Sequence, residues 1–136
     1  MNINFRIYTE DTDWGGVVYH SNYLKFYERA RSDFLRNSGI SQTDLKNNLN
    51  ISFVVSSINI KFIKTAKMDD LITVNTKVNE IKKASVILDQ EIFCDNILIN
   101  KAQVILAIIN AETHRPVRIP EIIIKAFSIK LICLKQ

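Results

Sequence analysis

The chain has 136 residues, 47% hydrophobic and 24% charged, with a net charge of +4. That length suits one hydrophobic core with no room for a second, so a single domain over residues 1–136 is expected, and the apolar fraction excludes a disordered or fibrous chain. The 18 basic residues are spread along the sequence without an arginine-rich tract or RNP-like aromatic motif, so no nucleic-acid partner is expected; a modest positive field does suit an anionic small molecule of many kinds.

Residues 1–6 lack the basic segment and apolar run of a secretory signal, and no apolar stretch reaches the roughly 18 residues that span a bilayer. A cytoplasmic protein without a membrane span is expected. Cys94 and Cys133 have no CxxC spacing and read as free thiols.

Residues 3–9 alternate Ile3, Phe5 and Ile7 with Asn4 and Arg6, which predicts a short strand. Glu10-Asp11-Thr12-Asp13-Trp14-Gly15-Gly16 follows as a tight loop. From Ser21 the positions Tyr23, Phe26, Tyr27, Ala30 and Phe34 fall at helical spacing, and Asn37-Ser38-Gly39 supplies a stop. Residues 41–50 read as a polar connection.

Four strands are predicted over about 52–63, 70–80, 84–94 and 97–110, with Lys82-Lys83 and Asp95-Asn96 as hairpin turns. The run from Val104 to Ile109 is apolar on both faces, so the sheet face away from the helix should be covered, most simply by a second subunit. One strand, one long helix and four more strands describe an α+β domain whose curved sheet wraps the helix. After Pro116 and Pro120 the spacing predicts a helix over about 120–127, docked on the core or on an oligomer interface, with an interfacial membrane anchor as the competing reading.

The loop around Asp13 carries the densest chemistry. Asp11-Thr12-Asp13-Trp14-Gly15-Gly16 opens like a calcium loop, but its fifth position is Gly15 and its twelfth is Asn22 where a bidentate Glu belongs, and no helix precedes it. Asp11, Asp13 and His20 give too few ligands for a metal, so none is expected. GxSxG, GxGxxG and P-loop motifs are absent. Asp is also a common turn former, and His20 can simply pack beside a helix start. What favours chemistry at Asp13 is its setting. Two glycines allow close backbone approach, and His20-Ser21 opens a helix whose first amides stabilise negative charge, which is the pairing thioester hydrolysis needs.

Residues 6–31, Arg6-Ile7-Tyr8-Thr9-Glu10-Asp11-Thr12-Asp13-Trp14-Gly15-Gly16-Val17-Val18-Tyr19-His20-Ser21-Asn22-Tyr23-Leu24-Lys25-Phe26-Tyr27-Glu28-Arg29-Ala30-Arg31, resemble the signature of the hot-dog-fold thioesterases. They are closest to the Tol-Pal-associated acyl-CoA thioesterases of the 4-hydroxybenzoyl-CoA thioesterase superfamily. The likeness continues through Phe53-Val54-Val55, residues 66–76 with Asp69-Asp70, and residues 115–120. It implies a five-stranded antiparallel sheet around one long helix, assembled as a homodimer or homotetramer. It also implies hydrolysis of acyl-coenzyme A without a cofactor, with acyl carrier protein as an alternative thiol carrier.

Carried over by position, the resemblance makes Asp13 the catalytic carboxylate, nucleophile or general base, assisted by His20 and Tyr8, with an oxyanion hole at the helix start. Trp14, Gly16 and Val17 are expected beside the substrate. Lys61 and Lys64, with Lys67, Arg115 and Arg118, are candidates for the coenzyme phosphates. Trp14 departs from the smaller residues common in this branch. Two other readings compete: a hydratase of the same fold, which places its acid and histidine differently, and a noncatalytic acyl-carrier-binding or scaffold module.

Overall fold

The computed structural model describes the backbone of residues 1–135 and the side chains of residues 1–128. Five strands, β1 (Asn2–Arg6), β2 (Ile51–Phe62), β3 (Leu71–Ile81), β4 (Ser85–Cys94) and β5 (Ile97–Asn110), form one antiparallel sheet in the order β1-β3-β4-β5-β2. The hairpins at β3-β4 and β4-β5 are those expected from sequence. Asp95 and Asn96 sit at φ 50° and 63° between paired Cys94 and Ile97, the two positive values that a tight two-residue hairpin demands. β2 instead crosses to the far edge and pairs with β5, so β1 and β2 are the two open edges.

The long helix α1 (Asn22–Asn37) lies across the concave face, with Tyr23, Phe26, Tyr27, Ala30 and Phe34 buried as the i, i+3, i+4 spacing requires. It stops at Gly39, whose φ of +82° is the left-handed conformation that glycine adopts without strain. Opposite it, Ile72, Val74, Val86, Leu88, Ile92, Val104 and Ile108 are fully buried. Each such side chain stabilises the fold by about 2 kcal/mol relative to exposure.

Three inward positions break the apolar alternation: Thr76, Gln90 and Asn100. Gln90 and Asn100 meet polar groups on α1, and Thr76 meets Gln90. Tyr27 Oη donates to Asn100 Oδ1 at 2.6 Å, and Arg31 Nη1 donates to Gln90 Oε1 at 3.1 Å. Gln90 Nε2 in turn donates to the Tyr27 carbonyl at 3.1 Å and to Thr76 Oγ1 at 2.9 Å. Burial pushes the Tyr27 phenol far above its ordinary range, with a smaller contribution from Glu91, and pulls the Arg31 guanidinium down against the opposing pull of Glu28.

Two elements differ from expectation. Residues 41–50 are not a bare connection but contain the helix α2 (Gln42–Leu49), which buries Leu45. Ser41 Oγ accepts the Asp44 amide at 3.2 Å, and Asn50 ends the helix in the left-handed region. The last helix, α3 (Glu121–Lys135), runs about two turns beyond the predicted 120–127. Its root is held by fully buried Ile123 and Phe127, the Phe127 ring stacking on Phe34 at 6.0 Å. On β5, Val104, Leu106 and Ile108 face the core, while Ile105, Ala107 and Ile109 are only half-covered on the outer face.

Candidate active site

The residues between β1 and α1 fold into a small hairpin that stands at the start of the long helix. A 3-10 turn over Thr9–Asp11 opens it, with the Asp11 carboxylate accepting the Tyr8 amide at 2.8 Å. Thr12 then bridges Val18, the Asp13 amide donates to the Val17 carbonyl at 2.9 Å, and the Tyr19 amide donates to the Asp11 carbonyl at 3.0 Å. Asn22 Nδ2 adds a second bond to that carbonyl at 2.9 Å, tying the hairpin to the first turn of α1. Asp11 is therefore committed to structure, and Asp13 sits at the tip.

Asp13 Oδ1 accepts the Gly15 amide at 2.8 Å, the local turn that an Asp before glycine is expected to make. The other carboxylate oxygen has no partner among the described residues, and the side chain is exposed. Gly16 closes the turn at φ +77°, where other L residues are strained. A Cβ on Gly15 would meet Asp13 Oδ1 at 3.2 Å, so this glycine lets the carboxylate lie against the backbone.

At the helix start, the Asn22 amide donates to Tyr19 at 2.8 Å and the Leu24 amide to Ser21 at 3.2 Å. The amides of His20 and Ser21 have no partner among the described residues. Two free N–H groups at the positive end of a sixteen-residue helix can hold a developing oxyanion. The His20 ring packs on Tyr19 at 4.5 Å and edge-on to Phe62 at 6.4 Å; it makes no ion pair with Asp13 in the single chain.

Phe62, which sequence reasoning did not single out, also meets Tyr23 at 5.8 Å and stands on the same sheet face as Asn100. The Tyr23 hydroxyl accepts the Ala66 amide at 3.1 Å, and the Val18 amide donates to the Ala66 carbonyl at 2.8 Å, so residue 66 clamps hairpin and helix together. Burial pushes the Tyr23 phenol up, the Ala66 hydrogen bond partly offsets this, and Asp70 adds to the rise. The only hint of Phe62 in the sequence is an aromatic at the end of a predicted strand.

The remaining candidates are dispersed. Trp14 is fully exposed (105%), so within one chain it covers neither Asp13 nor an acyl pocket. Tyr8, Tyr19, Phe62, Ile63 and Met68 are also exposed around the hairpin, an apolar rim suited to a ligand or a second subunit. Val17 bridges Lys67, which pairs with Asp70 at 3.5 Å. Lys61 is on the outer face of β2, opposite Lys101, in a groove of about 460 Å³ shared with Asp89 and Glu91 and separated by the sheet from Phe62. Lys64 follows the end of β2 and donates its amide to Ile99 at 2.9 Å. Arg115 and Arg118 lie beyond the far end of β5, where the Arg115 carbonyl accepts the Asn110 amide at 2.9 Å. No group of three metal-ligating side chains occurs among the described residues.

Residues 7–127 match the Thioesterase-like superfamily. The chain belongs to that superfamily. A member of it, it is 39% identical over 122 residues to the acyl-CoA thioesterase YbgC of Haemophilus influenzae, with 90% of each chain covered. It is 35% identical over 126 residues to the acyl-CoA thioesterase YbgC of Helicobacter pylori, covering 86% of this chain and 92% of that one. The solved structure of DHNA-CoA thioesterase from Staphylococcus aureus aligns with a TM-score of 0.89 over 98% of this chain and 91% of its own, at 25% identity. The five-stranded sheet wrapped on α1 is thus the superfamily's hot-dog fold, and the chain is accordingly a thioester hydrolase.

Proposed function

We propose that this protein hydrolyses acyl-coenzyme A to the free acid and coenzyme A, with Asp13 delivering the attack. The reading is carried by one juxtaposition: a carboxylate with an oxygen free of partners among the described residues, at the tip of a hairpin bonded to a helix start whose His20 and Ser21 amides likewise have no partner among them. The thioester carbonyl accepts hydrogen bonds from these amides. Asp13 adds to the carbonyl carbon, or deprotonates a water that does so, and the oxyanion collapses to expel coenzyme A as a thiolate. If Asp13 is the nucleophile, water then cleaves the resulting anhydride. The relatives named acyl-CoA thioesterase support the coenzyme A ester as substrate.

The working unit in this proposal is a two-fold dimer, one domain per chain. β2 is a twelve-residue open edge with Val54, Val55 and Phe62 exposed, the kind of edge that proteins cover. Antiparallel pairing of two β2 edges over their full length sets the Ile51 end of one strand beside the Phe62 end of the other. The 110–118 turn, which bonds to Asn50 through Ala111, then approaches the other protomer's catalytic hairpin and brings Arg115 and Arg118 toward the coenzyme phosphates. Trp14 and the apolar rim face the same seam.

Thiol release from acyl-coenzyme A esters of increasing chain length tests the reading. Release from any of them by the purified protein is expected. Silence across the whole series, with intact folding, would overturn it.

A further inference from the structure

The buried polar network under α1 runs in one direction and ends on a donor that no group in the described residues accepts. Arginine has no acceptor, so the bond from Arg31 fixes Gln90 with Oε1 toward the guanidinium and Nε2 toward the Tyr27 carbonyl. The Tyr27 hydroxyl then donates to Asn100 Oδ1 at 2.6 Å, a length that suits an oxygen acceptor rather than the amide nitrogen. Asn100 is fully buried, and its Nδ2 is the one enclosed side-chain nitrogen or oxygen without a partner among the described residues. A sealed donor in that state costs free energy that an acceptor brought in from outside recovers.

Asn100 stands directly opposite Phe62 of β2, on the sheet face that carries α1. Phe62 meets both His20 at 6.4 Å and Tyr23 at 5.8 Å, which places Asn100 one side chain away from the start of α1. The Phe62 ring is half exposed and belongs to the last residue of an edge strand, where it can turn aside without breaking the core. We propose that Asn100 is a specificity-determining residue: an entering acyl chain displaces the Phe62 ring and presents an oxo group to Asn100 Nδ2. The inference rests on the thioester carbonyl lying at the start of α1. Tyr27 is about 9 Å along the helix from Ser21, and its side chain leans back toward that start, so the oxo group belongs near the fifth carbon of the acyl chain. A keto oxygen only accepts, as this donor requires. A hydroxyl would bring a proton of its own into a pocket whose other wall is the fully buried Ile92.

Thiol release from 5-oxohexanoyl-CoA and from 5-methylhexanoyl-CoA, an apolar match in shape, tests this beside calorimetric binding of non-hydrolysable thioethers carrying the same two tails. The parent should favour the oxo compound by at least about tenfold in kcat/KM and in Kd. In Asn100→Leu that preference should vanish or invert. The double variant Asn100→Leu with Tyr27→Phe leaves no hydroxyl unpaired, so it should lose the same preference at a melting temperature close to the parent's. A role confined to holding α1 would lower the melting temperature and leave the preference in place. Equal binding of the two thioethers by the parent, or a preference that survives the loss of Asn100, would overturn the proposal. Discrimination between the thioethers with neither ester cleaved would uphold it and overturn the hydrolytic reading instead.

Discussion

Gln90→Leu should be among the most damaging substitutions that leave the Asp13 hairpin untouched. Gln90 is fully buried and makes three hydrogen bonds, one from the Arg31 guanidinium and two to the Tyr27 carbonyl and Thr76 Oγ1. A bond to a charged group contributes about 1.5–3 kcal/mol and a neutral one about 1 kcal/mol. Leucine recovers part of this through apolar burial, which leaves a net loss of about 3.5 kcal/mol. With an unfolding entropy near 2.1 cal/mol/K per residue over 136 residues, that is a fall in Tm of about 12 °C. Calorimetry or urea titration at fixed protein concentration reads it, concentration being held because assembly shifts apparent stability. The partner variant Arg31→Met should itself be destabilising, and the pair should be less than additive by about 1.5 kcal/mol because each removes the same bond. A loss below about 1 kcal/mol for Gln90→Leu, or a strictly additive pair, would refute the view that this network holds α1 to the sheet.

The two glycines of the hairpin should separate stability from chemistry. Gly16→Ala meets no neighbouring atom but holds φ +77°, so thermal melts should show a loss of about 1–2 kcal/mol. Gly15→Ala presses on Asp13 Oδ1 and should lower kcat at least tenfold with a smaller change in Tm, measured as thiol release beside a melt. Alkaline pH should destabilise the fold through Tyr27. Its folded pKa is raised above the ordinary 10.0, so its contribution is complete below pH about 10 and is lost as pH rises past that value. Urea midpoints from pH 8 to 11 should fall less steeply in Tyr27→Phe than in the parent.

The strands and α1 were legible because local periodicity records which face is buried. The β4-β5 turn was legible because Asp95 and Asn96 are residues that tolerate positive φ. The order of strands was not, since the pairing of β2 with β5 joins residues some fifty apart and leaves no local trace. α2 escaped because a single buried leucine gives no periodicity, although Ser41 three residues before Asp44 was a readable cap. Thr76, Gln90 and Asn100 interrupt strand alternation at inward positions, a visible sign of a buried polar network whose partners on α1 only the fold reveals. At the site, the Asp13 turn and the helix start at His20 were readable from the glycines and the spacing. The placement of Phe62 beside His20 and the separation of Lys61 onto the outer face depend on tertiary crossing.

In the proposed reaction the Asp13 carboxylate delivers the attack on a thioester carbonyl held at the start of α1. Single-turnover thiol release by Asp13→Asn, beside the parent and with matched circular dichroism and Tm, tests it most directly. The amide retains the bond to Gly15 but is neither a competent nucleophile nor a base, so turnover should fall by at least about 10³-fold with the fold intact. Release within about tenfold of the parent would place the attacking group elsewhere and rule out the role proposed for Asp13.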